Sequence, residues 1–142
     1  MRILLLALLV LSQLAAADLA TVRTEPDAEK RSEKALQAAE ADFQAAKKAA
    51  RDGETAVETA ALTGIHDAVD LAIKSLDETG KNARRNPKYF KKAEITLRKL
   101  IRNLEDFRFA KGADERQQVE ELLAFVHESH DKVLLGIMTK KK

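Results

Sequence analysis

The chain has only three histidines, and two of them stand in the run His127-Glu128-Ser129-His130. A zinc-protease helix sets two His four residues apart, with a Glu directly after the first, so that both imidazoles reach one metal. Here the spacing is three, and that signature is absent. His127 and His130 still share one side of a helix, and Glu120 and Asp131 form a rough column with them. With His66 they make a candidate ligand set for a metal ion or a non-covalently held haem, since the cores of helical bundles host such sites. That reading is the alternative. His130 falls inside an apolar stripe, where a single hydrogen bond satisfies a buried imidazole, and no cofactor is expected.

Ser129, His130 and Asp131 are the residue types of a hydrolase triad, but in consecutive positions. Neighbours on a helix point about 100° apart and cannot relay a proton. No Gly-rich phosphate loop, nucleophile elbow or dinucleotide fingerprint occurs. The acidic segments carry many carboxylates but show no apolar pocket that would shift one of them toward acid-base work. With no cysteine in the chain, thiol catalysis, thiolate zinc sites and disulfide exchange are excluded. The expectation is a non-catalytic protein.

The remaining chemistry is charge. Residues 86–100, NPKYFKKAEITLRKL, hold five cations and one carboxylate in a chain whose formal charge is only +2. Residues 18–80 carry eight Lys and Arg against fourteen Asp and Glu, whereas residues 81–112 carry eleven against three. On a helical wheel Arg84, Arg85, Lys88, Lys91, Lys92, Arg98, Lys99 and Arg102 share an arc of roughly 140°, opposite the apolar stripe. Lys81 joins Arg84 and Arg85 in the preceding loop, at a helix N-terminus whose free N–H groups already favour an anion. The candidate binding residues are therefore Lys81, Arg84, Arg85, Lys88, Lys91, Lys92, Lys99 and Arg102.

The expected partner is an anionic envelope component, such as phospholipid headgroups or an acidic polysaccharide, or an acidic protein. The plain alternative is a solvated face whose cations pair with the chain's own acidic segments. Nucleic acid is not expected, because most of the aromatics near these cations belong to or border the apolar stripe instead of interleaving with the charges. Ile95 and Phe109 lie on the charged side, where a lone bundle has no use for apolar residues. An acidic and a basic face on one molecule also open a route to self-association.

These residues need helices to position them. Five Gly and two Pro in 142 residues, with abundant Ala, Glu, Lys and Leu, favour helix nearly throughout. Punctuation at Pro26, Asp52-Gly53, Gly80, Asn86-Pro87 and Gly112 divides the chain into segments near 26–51, 54–79, 87–111 and 115–138. Thr24 or Glu25 is the expected cap of the first segment and Asp114 that of the last. Apolar residues recur at spacings of three and four in each: Leu36, Ala39, Phe43 and Ala46; Leu62, Ile65, Val69 and Leu76; Leu97, Leu100, Leu104 and Phe107; Val119, Leu122, Val126 and Val133.

The pattern predicts an all-α, up-down four-helix bundle over 26–138, with the second and fourth helices parallel and diagonal. His66 and His127 then lie at similar depth. The alternative is a three-helix bundle whose long first helix runs through Gly53. The alanine-rich first segment is expected to be the loosest member, and no internal repeat of solenoid length is evident.

The N-terminus predicts export. Arg2, an apolar run from Ile3 to Leu11, and Ala15-Ala16-Ala17 before Asp18 have the order of a signal peptide over 1–17. That run is too short to span a bilayer, so no transmembrane span is expected after cleavage. The mature chain is expected to be extracytoplasmic, periplasmic or secreted. Without disulfides, stability outside the cytoplasm has to come from helix packing, which favours a bacterial envelope. A flexible segment over 18–25 and a basic tail over 139–142 complete the expected organisation.

Overall fold

The computed structural model describes residues 19–139. The expected signal peptide over 1–17 and the last three residues of the basic tail lie outside them. Four long helices make up the molecule: α1 (Ala28–Arg51), α2 (Thr55–Glu78), α3 (Pro87–Phe109) and α4 (Gln117–Met138), with a 3-10 turn at Ala113–Glu115 before the last. The expected all-helical bundle is the observed fold.

The break at Gly53 decides between four helices and three. Glu54 N–H reaches back to the Ala49 carbonyl at 2.8 Å and Gly53 N–H to that of Ala50 at 3.4 Å. This paired closure satisfies the last carbonyls of α1 and needs a left-handed residue between them. Gly53 supplies it, with φ of 72°. The continuous helix through Gly53 is thereby excluded.

Two cap assignments change. Asp27, not Thr24 or Glu25, caps α1, its carboxylate accepting from Lys30 N–H at 3.1 Å, and Pro26 stands just ahead of the cap. Asp114 lies inside the 3-10 turn, so α4 starts at Gln117 without a side-chain cap. Arg116 instead closes that loop by donating from Nε to the Lys111 carbonyl at 3.0 Å. Residues 19–23, expected to be flexible, are helical. They lay Leu19 and Val22 on the core, because these two apolar side chains fall one turn apart.

The helices alternate in direction, but their neighbours differ from the expected order. α1 packs on α2 and α3, and α4 packs on α3 and α2, while α1 and α4 make no contact among the described residues. The bundle is thus two helical hairpins laid side by side, with α1 parallel to α3 and α2 parallel to α4. Residues 79–86 cross diagonally over one end. α2 and α4 are therefore adjacent and not diagonal. The arrangement sets Glu29, Glu33 and Glu40 of α1 beside Lys81, Lys92 and Lys99.

α1 also departs from its expected looseness. Ala35, Ala39 and Ala46 are wholly buried and Ala49 nearly so, and these small side chains let the backbones of α1 and α2 come closer than any other pair. Gly64 faces this seam, where an added Cβ would meet the Asp42 carboxylate at 2.5 Å. Large side chains from the other helices fill the centre: Ile65 and Val69, Leu97, Leu100 and Leu104, Val119 and Val126.

An architectural repeat accompanies this pairing. Buried positions of the first hairpin recur 61 residues later in the second: Leu36 and Leu97, Ala39 and Leu100, Phe43 and Leu104, Leu62 and Leu123, Ile65 and Val126, Ala72 and Val133. Burial repeats while most identities do not, which is why the sequence shows no repeat.

Candidate anion-binding face of the third helix

The loop before α3 is built to hold two arginines outward. Asn82 Oδ1 accepts the backbone N–H groups of Arg84 at 3.0 Å and Arg85 at 3.1 Å, and Asn86 N–H returns to the Asn82 carbonyl at 2.9 Å. Ala83 is buried in the same turn, so both guanidinium groups are left exposed. Pro87 then opens α3 with no side-chain cap from Asn86 and no carboxylate in the first turn. The positive end of that helix is not offset by its own side chains.

The eight sequence-predicted cations separate into two sets. Lys81 pairs with Glu29, Lys92 with Glu33 at 3.2 Å, and Lys99 with Glu40 at 3.6 Å. This ladder stitches parallel α1 and α3 along one edge, and exposed pairs of this kind contribute about 0 to 1 kcal/mol each. The other five, Arg84, Arg85, Lys88, Lys91 and Arg102, are exposed. Among the described residues none of them has a carboxylate within 4.0 Å. Lys88 and Lys92 both lie over the Tyr89 ring, at 5.2 and 5.4 Å from its centre. Arg98 is held 3.5 Å from Glu94. The free set runs from the crossover loop along the outer side of α3, with Ile95 at 55 % exposure among it and Phe109 at 72 % near its far end.

The expected pairing of this face's cations with the chain's own acidic segments occurs for Lys81, Lys92 and Lys99, but sequence reasoning did not name their partners on α1. The signal was present, since Glu33 and Glu40 repeat at the same seven-residue interval as Lys92 and Lys99. Reading it required knowing that α1 and α3 are neighbours.

Titration marks the same end of the bundle. Its hydrogen bond with Glu29 raises Lys81 above the ordinary lysine value. Glu25 is held below the ordinary carboxylate range chiefly by its hydrogen bond from Lys34, and Asp27 chiefly by the Lys30 backbone N–H. A depressed carboxyl adds stability that is full above its unfolded pKa and is lost as pH falls through the folded value; a raised amine adds stability that is full below its unfolded pKa and is lost as pH rises through the folded value. The melting temperature is therefore expected to hold a plateau between the ordinary carboxylate and lysine ranges and to fall on both sides. Asp27→Asn keeps a capping oxygen without a titrating proton and flattens part of the acid limb. An acid limb unchanged in that variant contradicts the assignment.

The histidines do not converge. His66 and His127 are on the outside of the bundle, and His66 stacks on Phe125 with ring centres 4.1 Å apart. His127 Nε2 lies 3.7 Å from Glu105, and His130, side chain 13 % exposed, lies 3.1 Å from Glu94. A ligand pair between His66 and His127 in the core, expected from diagonal helices, is not what adjacent α2 and α4 produce. Among the described residues no three His, Cys, Asp or Glu side chains gather as a metal-ligand set. Ser129 donates to the Phe125 carbonyl at 2.9 Å, a bond within its own helix and not one to His130.

A cleft of about 470 Å³ opens at the crossover end, floored by Ile73, Leu76, Phe90 and Val133. At its rim Lys132 is paired with Asp77 at 2.7 Å. Among the described residues, no helix is long and apolar enough to cross a membrane. No family model, curated protein or solved structure matches the chain.

Proposed function

We propose that this is an exported, non-catalytic helical protein that binds an anionic envelope component or an acidic protein through the outer side of α3. One observation carries the reading. Arg84, Arg85, Lys88, Lys91 and Arg102 are exposed and unmatched by any carboxylate among the described residues, although the chain carries 23 Asp and Glu that could have been placed against them. Folding used the carboxylates of α1 on Lys81, Lys92 and Lys99 and left this set to solvent. Pinning Arg84 and Arg85 through Asn82 lowers the ordering cost of engaging them.

Near an anionic lipid surface each Lys or Arg is worth about 1 kcal/mol. Five cations acting together therefore correspond to an affinity gain of roughly three to four orders of magnitude. The protein is expected to co-sediment with phosphatidylglycerol-containing vesicles and to be retained on heparin, with both falling steeply as salt rises. Reversing Arg84, Arg85, Lys88, Lys91 and Arg102 to Glu is expected to abolish both. Retention that survives the reversal rejects the reading.

A further inference from the structure

We infer that the outer face of the second hairpin binds a second copy of itself, across a two-fold axis running parallel to the helices. Four large apolar side chains are exposed among the described residues: Ile95 at 55 %, Phe109 at 72 %, Leu135 at 67 % and Met138 at 69 %. All four belong to α3 and α4, and none to the first hairpin. A monomer's surface does not concentrate such residues on one of two otherwise similar units without cause.

The contacts inside the bundle fix where this face points. On α3, Lys92 and Lys99 turn toward α1, and Glu94 and Glu105 turn toward α4. At about 100° per residue, Arg98, Arg102 and Phe109 then lie on the side away from the first hairpin, with Ile95 at its border. On α4, Phe125 turns toward α2 through His66, and His130 turns toward α3. That places Asp131 and Met138 outward, with Glu128 and Leu135 beside them. One face thus carries a basic helix and an acidic helix, each with apolar side chains between its charges.

Charge then selects the symmetry. A two-fold axis perpendicular to the helices would lay α3 on α3 and set Arg98 and Arg102 against their own images. An axis parallel to the helices lays α3 of each copy on α4 of the other, antiparallel, and makes the same favourable contact twice. Each copy's outward Ile95, Arg98 and Arg102 then run along the other copy's α4, whose outward side carries Glu128, Asp131, Leu135 and Met138. The side chains of Arg98 and Asp131 are exposed enough to engage a partner, at 57 % and 77 %. α3 has 23 residues, so a two-helix face about 34 Å long and 20 Å wide offers roughly 700 Å², near the ~800 Å² per partner of a stable interface.

This inference does not rest on the anionic-partner reading: Arg84, Arg85 and Lys88 lie outside the self-contact and stay available in the dimer, whereas Lys91 and Arg102 belong to the face the dimer covers. Analytical ultracentrifugation of the purified protein, from micromolar to hundreds of micromolar, is expected to give twice the mass of the chain. Ile95→Ser with Leu135→Ser, both at exposed positions, gives the single-chain mass with helical content unchanged and, since no charge is altered, with retention on heparin kept. Charge reversal supplies the specific signature. Arg98→Glu with Arg102→Glu is monomeric alone, Glu128→Arg with Asp131→Arg is monomeric alone, and an equimolar mixture of the two restores the dimer, since both halves of the mixed interface are complementary again. A wild-type chain that stays monomeric throughout, or a mixture that fails to pair, overturns the inference.

Discussion

Lys111→Met is expected to destabilise the protein by about 3 to 5 kcal/mol, the cost of removing one partner from a buried ion pair. Lys111 follows the end of α3 and pairs with Glu58 in the first turn of α2, both side chains about 10 % exposed. Its ammonium also lies over the Phe107 ring at 5.2 Å and 3.8 Å from Glu115. The pair joins the two diagonal helices at the end opposite the crossover loop, where little else connects α2 to α3. Glu58 occupies a core-facing position whose counterpart in the second hairpin is Val119, and without Lys111 its charge is left uncompensated. Replacing both, Glu58→Val with Lys111→Met, is expected to recover most of the loss, because an apolar pair needs no desolvation of charge. Urea unfolding of the two single variants and the double variant measures this directly. A single variant within about 1 kcal/mol of wild type contradicts the assignment.

Phe43→Ala is expected to cost a similar amount, about 3 to 5 kcal/mol. The buried face of α1 is Ser32, Ala35, Leu36, Ala39, Phe43, Ala46 and Ala49, so only two of its side chains are large. Phe43 reaches across to Phe107 on α3 in an edge-to-face contact, ring centres 6.0 Å apart and planes at 77°. Such a contact adds about 0.5 to 1.5 kcal/mol to simple burial. The neighbouring alanines have no side chain to swing into the space, so the cavity stays open. Thermal melting of Phe43→Ala against Phe43→Leu separates the cavity from the loss of the aromatic pair. A Phe43→Ala melt equal to wild type would show that α1 does not depend on this residue.

Much of the fold was legible because it rests on local physics. The apolar stripes at spacings of three and four, and the Asp52-Gly53 stop, fix four helices and their boundaries to within a few residues. Neighbour choice was not legible. Stripe positions say which side of a helix is buried but not which helix covers it, and the assumption of sequential neighbours put α2 and α4 on a diagonal. The same gap affected the candidate site. All eight cations lie on helix or loop surfaces as expected, yet only the adjacency of α1 and α3 reveals that Lys81, Lys92 and Lys99 meet Glu29, Glu33 and Glu40. The buried Lys111–Glu58 pair gave no signal, since each residue alone looks like ordinary surface charge.

The most direct measurement compares the two sets of cations on one surface. Binding to phosphatidylglycerol vesicles is measured at increasing salt for three proteins: wild type, a free-set variant with Arg84, Arg85 and Lys88 changed to Gln, and a ladder variant with Lys81, Lys92 and Lys99 changed to Gln. The account predicts that the free-set variant loses most of the affinity and of the salt dependence at unchanged stability. The ladder variant is predicted to melt at a lower temperature while retaining most of its binding. Equal loss from both variants, or binding indifferent to either, contradicts it.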